Sequence, residues 1–327
     1  MHCYGLTGED YMKALHCAAL ALAFALLPPA VSQAAEPART ADIAKRGLKP
    51  ADFPRWKQLV PNVYAYEDLL TSAGVSFTTN SLIVVTSDGA VLVDGQDDPA
   101  RGKALVDSLK KITPQPLKYV VIASDHVDHV GANGVLKQAF PGAVFISSPA
   151  SLKTLTEQKR EVLPTETVAD KRVLKVGGTE LQILNIGRGH TGGDLVVYLP
   201  ASKVLFMSEL YLHHVFPAMI TAYPSEWVAT IKKAQGMDVS WYVAGHGFID
   251  DRTTMKADLN EFLKATELVV SEAKRLKAAG VPCESEKNCP AAAQAKWGAY
   301  GDMTLAASQA PRALARVYME LDGKLPK

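Results

Sequence analysis

The run Ser124-Asp125-His126-Val127-Asp128-His129, continued by Val130-Gly131-Ala132-Asn133, constrains this chain more than any other stretch. Two histidines and an acid packed this closely are costly to bury unless a partner satisfies them. Each imidazole offers a nitrogen lone pair to a metal, and the carboxylate offers a hard anionic oxygen. The preceding Leu117-Lys118-Tyr119-Val120-Val121-Ile122 is β-branched and apolar enough for a buried strand. Gly131 and Asn133 then let the chain turn into a helix. Polar groups at a strand end, in the crevice outside the sheet, are where open α/β folds place their sites.

Three more chemistry-bearing residues follow, each after a strand-like run. His190 lies in Gly187-Arg188-Gly189-His190-Thr191-Gly192-Gly193-Asp194, a glycine-rich turn whose backbone can approach a metal closely. Glu209 ends Val204-Leu205-Phe206-Met207-Ser208-Glu209, and His246 stands in Ala244-Gly245-His246-Gly247. In this order the motifs resemble the metallo-β-lactamase superfamily, whose signature is H-x-H-x-D-H. Ser124 stands where the first histidine belongs. The resemblance runs over about residues 58–255. It implies an α/β fold, a four-layer αββα sandwich, followed here by a C-terminal helical extension over 256–327.

The resemblance also implies a ligand set. In the family pattern one metal is held by the first two motif histidines and the counterpart of His190. A second is held by the counterparts of Asp128, His129 and His246, with an acid at position 209 bridging. Carried over, the second set is complete, whereas the first is reduced to His126 and His190 with Ser124 at the departed position. A neutral hydroxyl is a poor zinc ligand, so one zinc is expected firmly on Asp128, His129 and His246, with the other site weak or empty. Ser124 reads equally as a turn residue. Glu209 is one methylene longer than the family's aspartate, and a buried acid in a hydrogen-bond network is its other reading. Asp128, His126 and His190 are the expected catalytic residues, the two histidines as proton carriers or substrate partners. Asp94, ending a strand, is expected either to prop the metal loop, as in relatives, or to cap a turn.

The amino terminus reads as a leader outside the fold. Met12-Lys13 leads into the apolar run Cys17–Leu27, too short to span a bilayer, and Ser32-Gln33-Ala34 fits a small-x-small cleavage site. The expected organisation is a signal peptide over 1–34, an arm over 35–57 running across the surface, the domain over 58–255 and the helical extension. A periplasmic or secreted location follows, with no stable membrane span once the leader is cut. Cys283 and Cys289 then meet an oxidising compartment, where a small-loop disulfide is expected, although free thiols or a zinc pair are the alternatives. Net charge is +1, so no basic surplus points to nucleic acid, and a small molecule is the expected partner.

Patterning places strands at 62–66, 80–85, 90–94, 117–122 and 143–146, then an antiparallel meander at 173–176, 181–186, 195–199 and 203–207, and a last strand at 241–244. Helices are expected at 100–111, 134–140, 151–162, 227–233 with Ser225 as N-cap, 258–279, and about 290–320. His213 and His214 line the pocket, replace a lost ligand, or sit in an exposed loop. Tyr211, Phe216, Met219 and Tyr223 form either a groove wall or core.

The resemblance implies an exported zinc hydrolase in which a metal-bound water attacks an ester, lactone or amide carbonyl, β-lactams included. Two alternatives differ in class: a non-catalytic binding protein of the same fold, and a mono-iron thiol or persulfide oxygenase, which uses the first site.

Overall fold

The computed structural model describes residues 39–326. The expected leader over 1–34 and its cleavage near Ala34 lie outside the described residues. The strands are β1 (Arg55–Val60), β2 (Val63–Ser72), β3 (Val75–Thr86), β4 (Gly89–Val93), β5 (Leu117–Val121), β6 (Val144–Ser147), β7 (Glu166–Thr167), β8 (Lys171–Val176), β9 (Thr179–Leu184), β10 (Val196–Leu199), β11 (Val204–Leu212) and β12 (Trp241–His246). The helices are α1 (Pro99–Ile112), α2 (Val127–Val130), α3 (Asn133–Ala139), α4 (Pro149–Glu157), α5 (Pro224–Gln235), α6 (Arg252–Ala278) and α7 (Ala306–Leu321).

One hydrogen-bonded path runs β7-β6-β5-β4-β3-β12-β11-β10-β9-β8, with β2 also paired to β3 and β1 to β2. Its first half is parallel from β4 to β7, and its far end, β8 to β11, is the antiparallel meander. The halves meet where Thr79 of β3 pairs with His246 of β12. Side chains alternate across a strand, so successive β4 residues serve two cores. Val91 and Val93 join the large core with Val196, Leu205 and Phe206, whereas Ala90 and Leu92 join a second core with Leu105, Leu109 and Leu136 of α1 and α3. Trp227 of α5 and Phe262 of α6 cover the other half, packed edge-on with ring centroids 5.7 Å apart. This is the mixed α/β sandwich that the resemblance implied.

Several expected boundaries move. The helix placed at 151–162 stops at Glu157, after an N-cap at Ser148 whose side chain accepts the Ser151 N–H. Ser225 is not an N-cap: that position is Tyr223, and the Ser225 hydroxyl instead donates to Glu320 of α7 at 2.7 Å. Pro224 at the first helical position explains the shift, because proline needs no N–H partner there. The expected helix over 258–279 starts earlier, where Asp251 caps the N–H groups of Thr253 and Thr254. The stretch 290–320 is two short 3-10 turns before α7, not one helix. The expected surface arm contributes to the fold: Ala41 and Ile43 are buried and Arg55 opens β1. A strand reading Arg-Trp-Lys-Gln carries too little apolar alternation to be seen as one. Cys283 and Cys289 form the expected disulfide. No helix among the described residues is long and apolar enough to cross a membrane.

Candidate metal centre

The motif loop leaves β5 and is propped from below by Asp94. This buried carboxylate accepts the Ala123 N–H at 2.7 Å on one oxygen. Its other oxygen takes the Ser208 hydroxyl at 2.5 Å and lies 3.1 Å from His129 Nδ1. Asp94 therefore props the loop, the first of its two sequence readings. Its left-handed φ of 58° is uncommon for a non-glycine residue, and contacts on both oxygens hold it there. Opposite, β11 bulges between Phe206 and Ser208 and re-aims Glu209 into the site. His246 arrives on β12, with its Nδ1 3.1 Å from the Thr78 carbonyl oxygen.

Two groups of ligating atoms result, with Glu209 common to both: Asp128, His129, Glu209 and His246, and His126, His190 and Glu209. They differ in hydrogen content. In the first, Thr78 O can only accept, so His246 carries its proton on Nδ1 and leaves Nε2 bare. The Asp94 carboxylate, 3.1 Å from His129 Nδ1, favours the proton on that nitrogen by charge. The two Nε2 atoms then face each other at 3.3 Å. Asp128 Oδ2 stands 3.0 Å from His246 Nε2, and Glu209 Oε1 stands 3.4 Å from it. With both imidazoles neutral, two lone pairs and two carboxylates converge with no donor between them. Such a set needs a cation or extra protons, and two imidazoles with carboxylates suit zinc and similar divalent ions. The donor set fits a metal.

The second group is already supplied with donors. Ser124 Oγ donates to Glu209 Oε2 at 2.6 Å, while His126 Nδ1 and His190 Nε2 each lie 3.1 Å from the same oxygen. Ser124 spends its proton on Glu209 and also accepts the His126 N–H at 3.3 Å, a turn contact. His190 packs edge-on against Trp227 at 5.3 Å, and the close approach at Gly189 is to Leu210 and Trp227, where a Cβ would come within 2.3 Å of Leu210. The glycine in that turn serves helix packing, where sequence reasoning had it serving the metal.

Electrostatics follow this arrangement. Burial alone would push His246 down, but Asp128 and Glu209 outweigh it and raise the imidazole to about 10. His126 is likewise raised to about 9, burial being overcome by Glu209. Buried His190 is pushed down and stays neutral. Burial would raise Asp128, yet His129 and His246 hold it at about 2.

The site opens into a cavity of about 590 Å³ reached by His126, Asp128, Glu209 and His246. Leu70, Phe77, Ile220 and Leu305 give it apolar walls, with Arg160 at its edge. Of the residues read as groove or core, Tyr211, Phe216 and Met219 are fully buried and Tyr223 nearly so. His213 and His214 do not reach this cavity: they turn toward Asp258, forming a separate group. Sequence reasoning missed Leu70, Phe77 and Ile220, which carry no motif, and Thr221, whose hydroxyl lies 3.2 Å from His126 Nε2.

Fold and site together define a metal-dependent hydrolase. Residues 75–246, just over half of the chain, match the family model for the metallo-beta-lactamase superfamily, and the chain belongs to that superfamily. Among curated proteins it resembles a metallo-beta-lactamase type 2 of Bacillus cereus, 27% identical over 201 residues, covering 60% of this chain and 77% of the relative. A metallo-beta-lactamase type 2 of Elizabethkingia meningoseptica is 25% identical over 221 residues, covering 62% and 83%. Among solved structures, a metallo-beta-lactamase from Pontibacter korlensis superposes with a TM-score of 0.60 at 24% identity, covering 66% of this chain and 99% of that one. That likeness supports the fold alone.

Proposed function

We propose that this chain is an exported zinc hydrolase that cleaves the carbonyl–heteroatom bond of a small amide, ester or lactone, β-lactam rings included. The observation that carries this reading is the convergence of His129 Nε2, His246 Nε2, Asp128 and Glu209 beside an open, partly apolar cavity. A zinc ion held there by Asp128, His129 and His246 supplies Lewis acidity and makes water nucleophilic near neutral pH. Relatives named as metallo-beta-lactamases support the β-lactam arm of the substrate class. The leader pattern and the Cys283–Cys289 disulfide support export.

The chain's own groups divide the remaining work. Asp128, anionic at neutral pH, accepts a hydrogen bond from the attacking water and orients it toward the carbonyl. The water oxygen bonds to the carbonyl carbon as one water proton leaves to solvent, the carbon–nitrogen or carbon–oxygen bond breaks, and His126 regains a proton from solvent after each turnover. His126, held as an imidazolium by Glu209 and partly open to the cavity, hands its proton to the leaving heteroatom. Neutral His190 fixes Glu209. Leu70, Phe77 and Ile220 exclude water from an apolar substituent, and Arg160 suits an anionic one.

The test is a hydrolysis panel of esters, lactones and β-lactams with zinc-loaded wild type and Asp128→Asn. Turnover of at least one class, lost in the variant and after chelation, is expected. Zinc-loaded protein that turns over none of the three classes contradicts the proposal.

A further inference from the structure

A second cluster lies behind the loop that carries His246. His213 is fully buried just past the end of β11. Its Nδ1 faces the Phe248 carbonyl oxygen at 2.5 Å, an acceptor only, so the ring proton sits on Nδ1. Its Nε2 is therefore a bare lone pair, and it has no hydrogen-bond partner. This atom points at two carboxylates, with Asp258 Oδ2 at 3.7 Å and Asp250 Oδ2 at 3.8 Å. Both distances exceed a hydrogen bond. His214 Nδ1 stands 2.9 Å from Asp258 Oδ1, and its ring lies against His213 with centroids 4.1 Å apart.

Arg46 pairs with the other oxygen of Asp250 at 2.7 Å and the Tyr211 hydroxyl donates to Asp258 Oδ2 at 3.1 Å, yet the His213 lone pair still faces both carboxylates without a donor of its own, an arrangement that a cation relieves. Tetrahedral zinc bonds of about 2.1 Å set ligand atoms about 3.4 Å apart, so gaps of 3.7 and 3.8 Å accept one ion once the side chains close by a few tenths of an ångström. Ligating atoms of His213, His214 and Asp258 all lie within 4.8 Å of one another. The left-handed φ of 57° at His214 turns adjacent imidazoles toward one point, a strained conformation of the kind that collects at sites.

We propose that His213, His214 and Asp258 bind a divalent transition-metal ion, zinc being the best match, with Asp250 as the neighbouring carboxylate. Paired imidazoles disfavour magnesium and calcium, which take oxygen ligands. The site is separate from the hydrolytic centre and independent of the proposed reaction. Its ion ties the end of β11 to α6 and, through Phe248, to the loop after β12. The His213 N–H also donates to the His246 carbonyl at 3.0 Å, so the ion braces the backbone that presents His246. Gly247 is required there, because a Cβ would fall 2.0 Å from the His213 carbonyl oxygen.

The experiment is zinc titration of chelator-stripped wild type, His213→Gln and Asp258→Asn, with bound metal counted by elemental analysis after desalting. Each variant is expected to hold one equivalent fewer than wild type. Wild-type crystals soaked in zinc chloride provide a measurement that needs no variant to fold. A zinc-edge anomalous peak bonded to His213 Nε2 and Asp258 is expected. Equal zinc in wild type and variants, or a map with density at the hydrolytic centre and none at His213, overturns the proposal without touching the hydrolase reading.

Discussion

The Ser124 hydroxyl donates to Glu209 Oε2 at 2.6 Å, across the middle of the site. The residue that departs from the family signature is thus not idle. It helps His126 and His190 hold one oxygen of Glu209, and leaves the other facing His129 and His246. Ser124→Ala removes one charge-assisted hydrogen bond from a buried carboxylate, a loss of about 1.5–3 kcal/mol. Thermal unfolding of metal-free protein is expected several degrees below wild type, with zinc affinity at the Asp128/His129/His246 site changed little.

His126 is placed to deliver the leaving-group proton. His126→Asn keeps a polar group of similar reach but cannot serve as an acid at neutral pH. A fall in kcat of about 10²–10⁴-fold is expected, the usual range for a general acid, with bound zinc unchanged. Steady-state kinetics beside metal analysis check it. Zinc lost together with activity would instead make His126 a ligand.

Asp94 touches no substrate, yet four buried groups converge on it: the Ala123 and Ser124 N–H groups, the Ser208 hydroxyl and His129 Nδ1. Asp94→Ala leaves the two N–H groups and the hydroxyl without their acceptor and His129 without its charge partner, and a destabilisation of about 3–5 kcal/mol is expected. Because His129 loses its outer partner, zinc affinity is expected to fall by about 10–100-fold. Chemical denaturation and competition with a chromogenic chelator read the two effects separately.

This much of the site was legible in the sequence because it is short-range or carried by motifs. His126, Asp128 and His129 sit on one loop, Glu209 and His246 each follow a recognisable strand run, and His190 lies in a glycine-rich turn between two such runs. The division of Glu209 between two groups was not legible, since it depends on a bulge in β11 and on the distance to Ser124. The cavity walls were hidden for a related reason: Leu70, Ile220 and Leu305 come from separate segments brought together only by folding. Ser225 misled because a good capping residue followed a proline that had already begun the helix. His213 and His214 were visible as a pair, but Asp258 approaches them from another element.

Protonation gives the metal-free protein a characteristic pH profile. His246 rises from 6.5 to about 10 on folding, so the stability it contributes is fully present below pH 6.5 and is lost as pH climbs toward 10. Asp128 falls from 3.8 to about 2, so its contribution is present above pH 3.8 and is lost as pH drops through 2. Metal-free protein is expected to lose stability on both sides of the window between about pH 4 and 6.5. Zinc displaces the His246 proton and removes the alkaline decline. Calorimetry at pH 7 in buffers of different ionisation enthalpy is expected to show proton release on zinc binding. Binding with no release would contradict the protonation assigned to His246.

The central claim is that the metal of this site belongs to Asp128, His129 and His246 and not to His126 and His190. The most direct measurement is an anomalous difference map at the zinc edge from zinc-loaded wild-type crystals. The prediction is a peak about 2.0–2.2 Å from His129 Nε2, His246 Nε2 and an Asp128 oxygen, with none between His126 and His190. A peak bonded to His126 and His190 with Glu209 displaced, or no peak in either group, would contradict it.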